Sequence, residues 1–266
     1  MSTVSRPRPS RIRLIATDVD GTLLGPDHRI PSARAVAVER LQAAGIPVVL
    51  ATGKIWASIQ PVWEQLELAG PHVTCNGAAV ITAQGELIAC TPLDTDIAAA
   101  LVEELQRRGV AHAVYLDDGT LVTTEHVPAL DIISEMGEPE PVIGGIDGRR
   151  VLKVLAVIGE DDEGDLRGFT NGRARTQRTG PRFLEWNAPG ADKAAGLRVA
   201  VAHLGIELAE VVAIGDAEND VPMLRAAGFG VAVTAASAVA RDAADLHLRD
   251  DLARYLDEVA AAAERR

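Results

Sequence analysis

The stretch Leu14-Ile-Ala-Thr-Asp-Val-Asp-Gly-Thr22 decides the fold class, because an apolar run leads directly into two aspartates and a Gly-Thr turn. We predict an extended strand over residues 13–20, on which side chains two positions apart face the same way. Asp18 and Asp20 are therefore expected together beyond the carboxyl end of the strand, where open α/β sheets bind ligands. A solvated acidic turn is the competing interpretation, since Asp-Gly is common in turns.

Alternating strand and helix patterns on both sides of this stretch predict a parallel sheet covered by helices. After the first strand we predict helix 31–44, strand 46–51, helix 56–68 and strand 73–75. The pattern resumes late in the chain with helix 193–204, strand 211–214, helix 219–227, strand 229–233 and helix 252–262. The fold class that follows is α/β, with a Rossmann-like parallel-sheet core.

The middle of the chain has a different pattern, which predicts an inserted α+β unit. A hairpin is expected over residues 79–91, a helix over 96–108, and short strands that include 151–158 and 182–186. The predicted domain limits are a flexible tail, 1–10; a discontinuous core, 11–83 and 190–266; and an inserted α+β cap domain, 84–189.

The composition is that of a globular protein, with 47% hydrophobic and 24% charged residues and a net charge of -12. This charge argues against nucleic acid and anionic membranes as partners, and it leaves the oligomeric state open. No apolar run reaches the length of a membrane span, and the first ten residues lack the apolar segment of a secretory signal. We therefore expect a soluble, cytoplasmic protein.

A second acidic segment, Gly215-Asp-Ala-Glu-Asn-Asp220, also follows a β-branched strand. If both strands belong to one parallel sheet, Asp216 lies at the same edge as Asp18. Close carboxylates need a cation or a shared proton, and an oxygen-only site suits Mg²⁺. The alternative is that Asp216 or Asn219 only caps a helix.

Two lysines are candidates for binding a phosphate group. The segment Ala51-Thr-Gly-Lys54 opens a helix, where backbone N–H groups and the Thr52 hydroxyl can meet an anion. Lys193 begins another helix, although a surface lysine at a helix start is commonplace. Lys54 does not belong to a Walker A loop, because Val48 stands where that loop has its first glycine. The histidines have no spacing typical of zinc sites.

In order and spacing, these segments resemble the four motifs of the haloacid dehalogenase superfamily. The match is to the Cof-type phosphatases (subclass IIB), whose α/β cap is inserted between the second and third motifs. The matching positions are Asp18 to Thr22, Thr52-Gly53, Asn76-Gly77-Ala78, Lys193, and Gly215-Asp216 with Asn219-Asp220. The resemblance covers the core well, whereas in the cap it is one of length and general pattern.

The resemblance implies a Mg²⁺-dependent phosphatase for a small phosphorylated metabolite, such as a sugar phosphate. It implies that Asp18 attacks phosphorus to form an aspartyl-phosphate, while Asp20 first protonates the leaving oxygen and then activates water. It implies that Thr52 and Lys193 bind the phosphoryl oxygens. It also implies two further sets: Mg²⁺ ligands Asp18, the Asp20 carbonyl and Asp216, supported by Asn219 and Asp220; and phosphate or substrate contacts Thr22, Gly53, Lys54, Asn76 and Asn219.

Some residues depart from the family pattern, and two other functions remain open. Lys54 stands where the family usually has arginine, which removes bidentate geometry. Asp192 replaces the Ser or Thr that is common before the lysine of the third motif. A phosphomutase of the same superfamily and a catalytically silent phosphate-ligand binding protein are the alternatives. The sequence leaves the substrate unnamed, because no motif stands out in the cap.

Overall fold

The structure is a computed structural model that describes residues 6–159 and 163–265. Residues 1–5 of the predicted tail lie outside this description. Arg6, the first described residue, donates hydrogen bonds to the Asp245 carboxylate and to the Ala227 carbonyl, both at 2.6 Å. A flexible tail before Arg6 stays a prediction.

Strands and helices alternate at both ends of the chain, with a run of strands between them. The strands are β1 (Leu14–Thr17), β2 (Val48–Leu50), β3 (His72–Thr74), β4 (Ala79–Ile81), β5 (Leu87–Cys90), β6 (His112–Leu116), β7 (Leu121–Thr123), β8 (Val142–Ile143), β9 (Val151–Val157), β10 (Arg175–Thr179), β11 (Phe183–Asn187), β12 (Val211–Gly215), β13 (Phe229–Ala232) and β14 (Leu246–His247). The α-helices are α1 (Ser32–Ala43), α2 (Trp56–Gln65), α3 (Thr95–Arg107), α4 (Asp131–Glu135), α5 (Lys193–Leu204), α6 (Val221–Ala226), α7 (Ala238–Ala243) and α8 (Leu252–Glu264).

The core is a parallel sheet with strand order β14-β13-β12-β1-β2, which confirms the predicted α/β class. Its central strands are buried β-branched and aliphatic runs, as expected for a parallel sheet that is covered on both faces. Thr17 at the end of β1 pairs with Ile214 on one side and Leu50 on the other. The two acidic segments therefore leave the sheet side by side.

The first strand is shorter than predicted, because β1 ends at Thr17 and residues 19–23 form a tight helical turn. Gly21 has a φ of 75°, a left-handed conformation that a strand cannot contain. Asp18 still donates its N–H to the Ile214 carbonyl at 2.9 Å. The predicted strand through Asp20 is wrong, so Asp20 owes its position to this turn rather than to strand alternation.

The third predicted core strand has a mixed role. β3 meets the core sheet through one parallel bridge, between Ala51 and Val73, and pairs antiparallel with β4. The Leu50 N–H, at the end of β2, donates to His72 Nδ1 at 3.2 Å. A side chain thus replaces a ladder hydrogen bond where β2 and β3 diverge.

The inserted unit contains a six-stranded sheet of order β10-β11-β9-β6-β7-β8, antiparallel except for the β7–β8 pair. Alternate residues of β9 and β11, including Val154 and Trp186, form one apolar cluster with helix α3. Lys153 and Glu185 lie at the intervening positions, and both line a cavity beside the core. The sheet therefore has a helix-covered face and a face toward the core.

The chain returns from this unit to the core against the turn that follows β3. Gly77 has a φ of 90°, and a Cβ there would lie 1.9 Å from the Asp192 carbonyl oxygen. Only glycine allows such an approach. The exact domain limits at residues 84 and 189 stay a prediction. Among the described residues, no helix is long and apolar enough to cross a membrane.

Candidate active site

A cavity of about 200 Å³ lies between the carboxyl edge of the core sheet and the cap sheet. Core and cap contribute to its walls in similar measure. The core residues are Asp18, Asp20, His28, Thr52, Gly53, Lys54, Ala217 and Asn219, and the cap residues are Tyr115, Met136, Glu138, Lys153, Leu155, Thr179 and Glu185. A wider groove of about 510 Å³ lies at the other edge of the core sheet, beside Arg8 and Arg11, and its lining carries no carboxylate among the described residues.

Lys193 connects the two acidic segments. It is the first residue of α5, whose N-cap Asp192 accepts the Ala195 N–H, and its side chain is fully buried. Lys193 Nζ lies 2.6 Å from Asp18 Oδ1 and 2.6 Å from Asp220 Oδ1. Burial opposes a charge on this amine, but the two carboxylates outweigh it and raise the pKa of Lys193 above its usual value.

Asp220 shapes the second acidic loop. Its Oδ2 accepts the backbone N–H groups of Asp216 and Ala217, both at 2.9 Å. A Cβ at Gly215 would lie 2.5 Å from Asp220, so glycine is needed where β12 ends. Asp220 therefore fixes the loop and Lys193 together, which is compatible with the supporting role predicted for it.

The cluster holds more negative charge than one lysine neutralises. Burial raises the pKa of Asp18 well above its usual value; Lys193 opposes the shift, and the Asp220 and Asp216 carboxylates add to it. Burial also raises the pKa of Asp216, although the Thr22 hydroxyl donates to its Oδ1 at 2.7 Å. An additional cation would relieve this repulsion.

The donor set fits a magnesium ion. Carboxylate oxygens of Asp18, Asp216 and Asp220 lie within 4.8 Å of one another. Both oxygens of Asp220 already accept hydrogen bonds, which leaves Asp18 and Asp216 as the side chains of this cluster that are available to a metal. Hard oxygen ligands of this kind suit Mg²⁺. The site can therefore hold a divalent cation, with the Asp20 carbonyl as its predicted third ligand.

The loop after β2 forms the wall next to Asp18. The Lys54 N–H donates to Thr52 Oγ1 at 3.1 Å, which closes a tight turn. Lys54 Nζ lies 3.2 Å from Asp20 Oδ1 and donates to the Met136 carbonyl of the cap at 2.5 Å. Lys54 thus links the predicted acid–base residue to the cap.

Two predicted phosphate contacts lie behind the cavity wall. Thr22 is buried and bonded to Asp216. Asn76 donates to Glu185 Oε2 at 2.8 Å and accepts from Asn219 Nδ2 at 3.1 Å. Gly53, Lys54 and Asn219 do line the cavity. Direct phosphate contact by any of these residues stays a prediction.

Sequence reasoning missed the cap side of the site. Lys153 and Glu185 face the cavity, and Lys153 Nζ lies 4.0 Å from the centre of the Tyr115 ring. From the sequence, Tyr115 is more simply interpreted as structural. The available signal was a single charge inside each of two apolar strands, Val151-Leu-Lys-Val-Leu-Ala-Val157 and Phe183-Leu-Glu-Trp186. Buried charges of this kind are rare unless they are paired.

Comparison with known proteins gives a family. The sequence matches the haloacid dehalogenase-like hydrolase family over residues 15–251. The HMP-PP phosphatase of Cronobacter sakazakii is 30% identical over 225 residues, which cover 82% of this chain and 83% of that protein. The HMP-PP phosphatase of Escherichia coli is 32% identical over 225 residues, 82% of either protein.

Solved structures agree with this assignment. A phosphatase of the haloalkanoate (HAD) superfamily from Bacteroides thetaiotaomicron superposes with a TM-score of 0.80 at 26% identity, covering 95% of this chain and 97% of that one. A HAD subclass IIB sugar phosphatase also has a TM-score of 0.80, at 24% identity, with coverage of 92% and 98%. The second likeness shows the fold alone.

The fold and the site define the class: an α/β core with an inserted cap and with an acidic, lysine-bearing site at the edge of the core sheet. This chain belongs to the haloacid dehalogenase-like hydrolase family, in which it is a phosphatase of the Cof type. Its general activity is the hydrolysis of phosphoric monoesters. Its expected fold and family are confirmed.

Proposed function

We propose that the chain is a Mg²⁺-dependent phosphatase that releases phosphate from a small metabolite through an aspartyl-phosphate on Asp18. The main support is the contact of Asp18 with Lys193 at 2.6 Å, beside a cavity that the cap covers. A nucleophilic carboxylate needs charge stabilisation at the attacked phosphoryl oxygens, and a buried ammonium supplies it. A divalent cation bound at Asp18 and Asp216 would supply further charge stabilisation.

The proposed chemistry has two steps. A carboxylate oxygen of Asp18 forms a bond to phosphorus, and the bond from phosphorus to the leaving oxygen breaks. Asp20 gives its proton to that oxygen. Asp20 then takes a proton from water, which attacks phosphorus and restores the Asp18 carboxylate with release of inorganic phosphate. Lys54, 3.2 Å from Asp20, holds this acid–base group toward the cavity.

The cavity and the relatives guide the choice of substrates. A volume of about 200 Å³ is below the range of 300–1,000 Å³ that is usual for drug-sized ligands, so the leaving group is small. Two similar proteins are HMP-PP phosphatases, which makes HMP-PP the first substrate to test. Small sugar phosphates come next.

The decisive variant is Asp18→Asn. We expect phosphate release to fall by roughly three orders of magnitude or more, because the amide is a poor nucleophile, while the fold persists. Asp118→Asn, on a cap carboxylate that pairs with Arg149, is the matched control and keeps its activity. Circular dichroism monitors folding. Retention of activity by Asp18→Asn refutes the nucleophile.

The product distinguishes hydrolysis from the mutase alternative. A hydrolase releases free phosphate in proportion to the substrate consumed. A phosphomutase instead yields an isomeric sugar phosphate and depends on a bisphosphate. Phosphate assay together with ³¹P NMR of the reaction mixture separates the two, and a complete absence of turnover would favour the binding-protein alternative.

A further inference from the structure

The cap places one buried ion pair against the catalytic loops. Lys153 on β9 and Glu185 on β11 lie 3.1 Å apart, measured from Nζ to Oε1. Their side chains are 2% and 5% exposed. Burying two charges costs more hydration energy than their mutual attraction restores unless further hydrogen bonds form. The remaining partners of this pair therefore indicate its role.

Tyr115 of the cap packs its ring against Lys153, but the hydrogen-bond partners of the ion pair belong to the core. Lys153 Nζ donates to the Gly53 carbonyl at 2.8 Å, and Asn76 Nδ2 donates to Glu185 Oε2 at 2.8 Å. Asn76 Oδ1 in turn accepts from Asn219 Nδ2 at 3.1 Å. One cap ion pair is thereby connected to three core loops: the loop after β2, the turn after β3 and the acidic loop after β12.

Asn76 makes this connection sensitive to small displacements. Its φ of 56° lies in the left-handed region, and its amide is hydrogen bonded at both ends. A Cβ at Gly53 would lie 3.0 Å from Asn76 Oδ1, so the loop after β2 and the turn after β3 are in close contact. A shift of the Asn76 amide is therefore passed on to Gly53 and Asn219, which line the cavity.

We propose that Lys153 and Glu185 are positioning residues that fix the phosphate-binding loops, whichever leaving group the substrate carries. The inference rests on the proposed function, because its readout is phosphate release. Both residues also line the cavity, so contact with the leaving group is the competing role. A positioning pair affects all substrates equally, whereas a leaving-group contact affects some substrates more than others.

The first test compares two glutamates of the cap. Glu185→Gln keeps the shape but removes one acceptor, and we expect kcat/KM to fall roughly 10- to 100-fold. The factor is the same for every monoester that the wild type hydrolyses, and the inhibition constant for inorganic phosphate rises in parallel. The control is Glu163→Gln, which weakens an ion pair with Arg178 that lies inside the cap, away from the cavity, and is more exposed, at 15% and 14%. Its activity stays within about twofold.

The second test asks whether Glu185 acts through Asn76. Asn76→Ala also lowers kcat/KM, and adding Glu185→Gln to it has little further effect, because interacting residues are not additive. If Glu185→Gln fails to fold, the variant Lys153→Met/Glu185→Gln removes both charges and is expected to show the same uniform loss. Unequal losses among substrates, unchanged phosphate inhibition or full additivity overturns the inference. Wild-type turnover in the same assay tests the proposed function separately.

Discussion

Gly21 combines two constraints at the residue scale. Its φ is 75°, and a Cβ there would lie 2.7 Å from Asp216 Oδ2, one of the oxygens available to a metal. Gly45 also has a φ of 75°, but a Cβ there would meet nothing within 4 Å. A substitution by alanine would strain the backbone at both glycines, but only at Gly21 would the new Cβ clash with Asp216.

We expect Gly21→Ala to raise the Mg²⁺ concentration for half-maximal activity at least tenfold, because the new methyl group displaces Asp216. Gly45→Ala costs about 1 kcal/mol of stability through its backbone and leaves the Mg²⁺ requirement unchanged. Metal titrations of phosphate release check both variants. Equal Mg²⁺ requirements would show that Asp216 tolerates the methyl group.

At the scale of elements, His72 joins β2 to β3. The His72 ring accepts the Leu50 N–H at Nδ1, and it stacks on Trp63 with ring centres 5.0 Å apart. Burial lowers the pKa of His72 from 6.5 to about 4. A protonated Nδ1 cannot accept this hydrogen bond, so the folded state favours the neutral imidazole.

This lowered pKa predicts a loss of stability in acid. Between pH 6.5 and about 4 the unfolded chain binds the proton and the folded chain does not, so stability falls as the pH drops through this range. The difference amounts to about 2 kcal/mol between pH 7 and pH 5. In His72→Asn the amide oxygen can still accept the Leu50 N–H. The free energy of unfolding of this variant, measured by urea titration, should fall less than that of the wild type between pH 7 and pH 5. His203→Asn, on an exposed histidine, should follow the wild type.

The sequence predicted the elements whose signal is local. The predicted limits of α5, 193–204, agree with Lys193–Leu204, because a cap at Asp192 and a left-handed Gly205 mark both ends. The prediction of a strand through Asp20 was wrong, because Gly21 and its contact with Asp216 fix a five-residue turn there. The short α7 and β14 were not predicted, because six and two residues carry too little periodicity.

The residues of the candidate site likewise fall into those that a local sequence signal predicted and those that it missed. Asp18, Asp216 and Lys193 were predicted because their segments end a strand or begin a helix. At such points the position in the chain indicates a position at the sheet edge. Lys153 and Glu185 were missed because their proximity depends on the pairing of β9 with β11 and on how the cap lies over the core. No local pattern contains that information.

At the scale of the whole molecule, bound metal should stabilise the fold. Mg²⁺ at one hundred times its dissociation constant adds about 2.7 kcal/mol, because it binds only the folded carboxylate cluster. We expect the thermal midpoint to rise by about 5 °C with Mg²⁺ and to return with EDTA. Asp216→Asn should lose this response, and Asp242→Asn, on the surface of α7, should keep it. Calorimetry without any substrate measures the effect, and a response of Asp216→Asn equal to the wild type would place the metal elsewhere.

The contact of Gly77 with the Asp192 carbonyl has a consequence for how this architecture diversifies. The turn after β3 lies against the chain where it returns from the cap, and Lys193 follows directly after that contact. The position of Lys193 beside Asp18 is therefore set by the core itself, and a different insert between β5 and Asp192 would leave it unchanged. Exchange of the cap, by evolution or by design, would change one wall of the cavity while Asp18 and Lys193 stay in place.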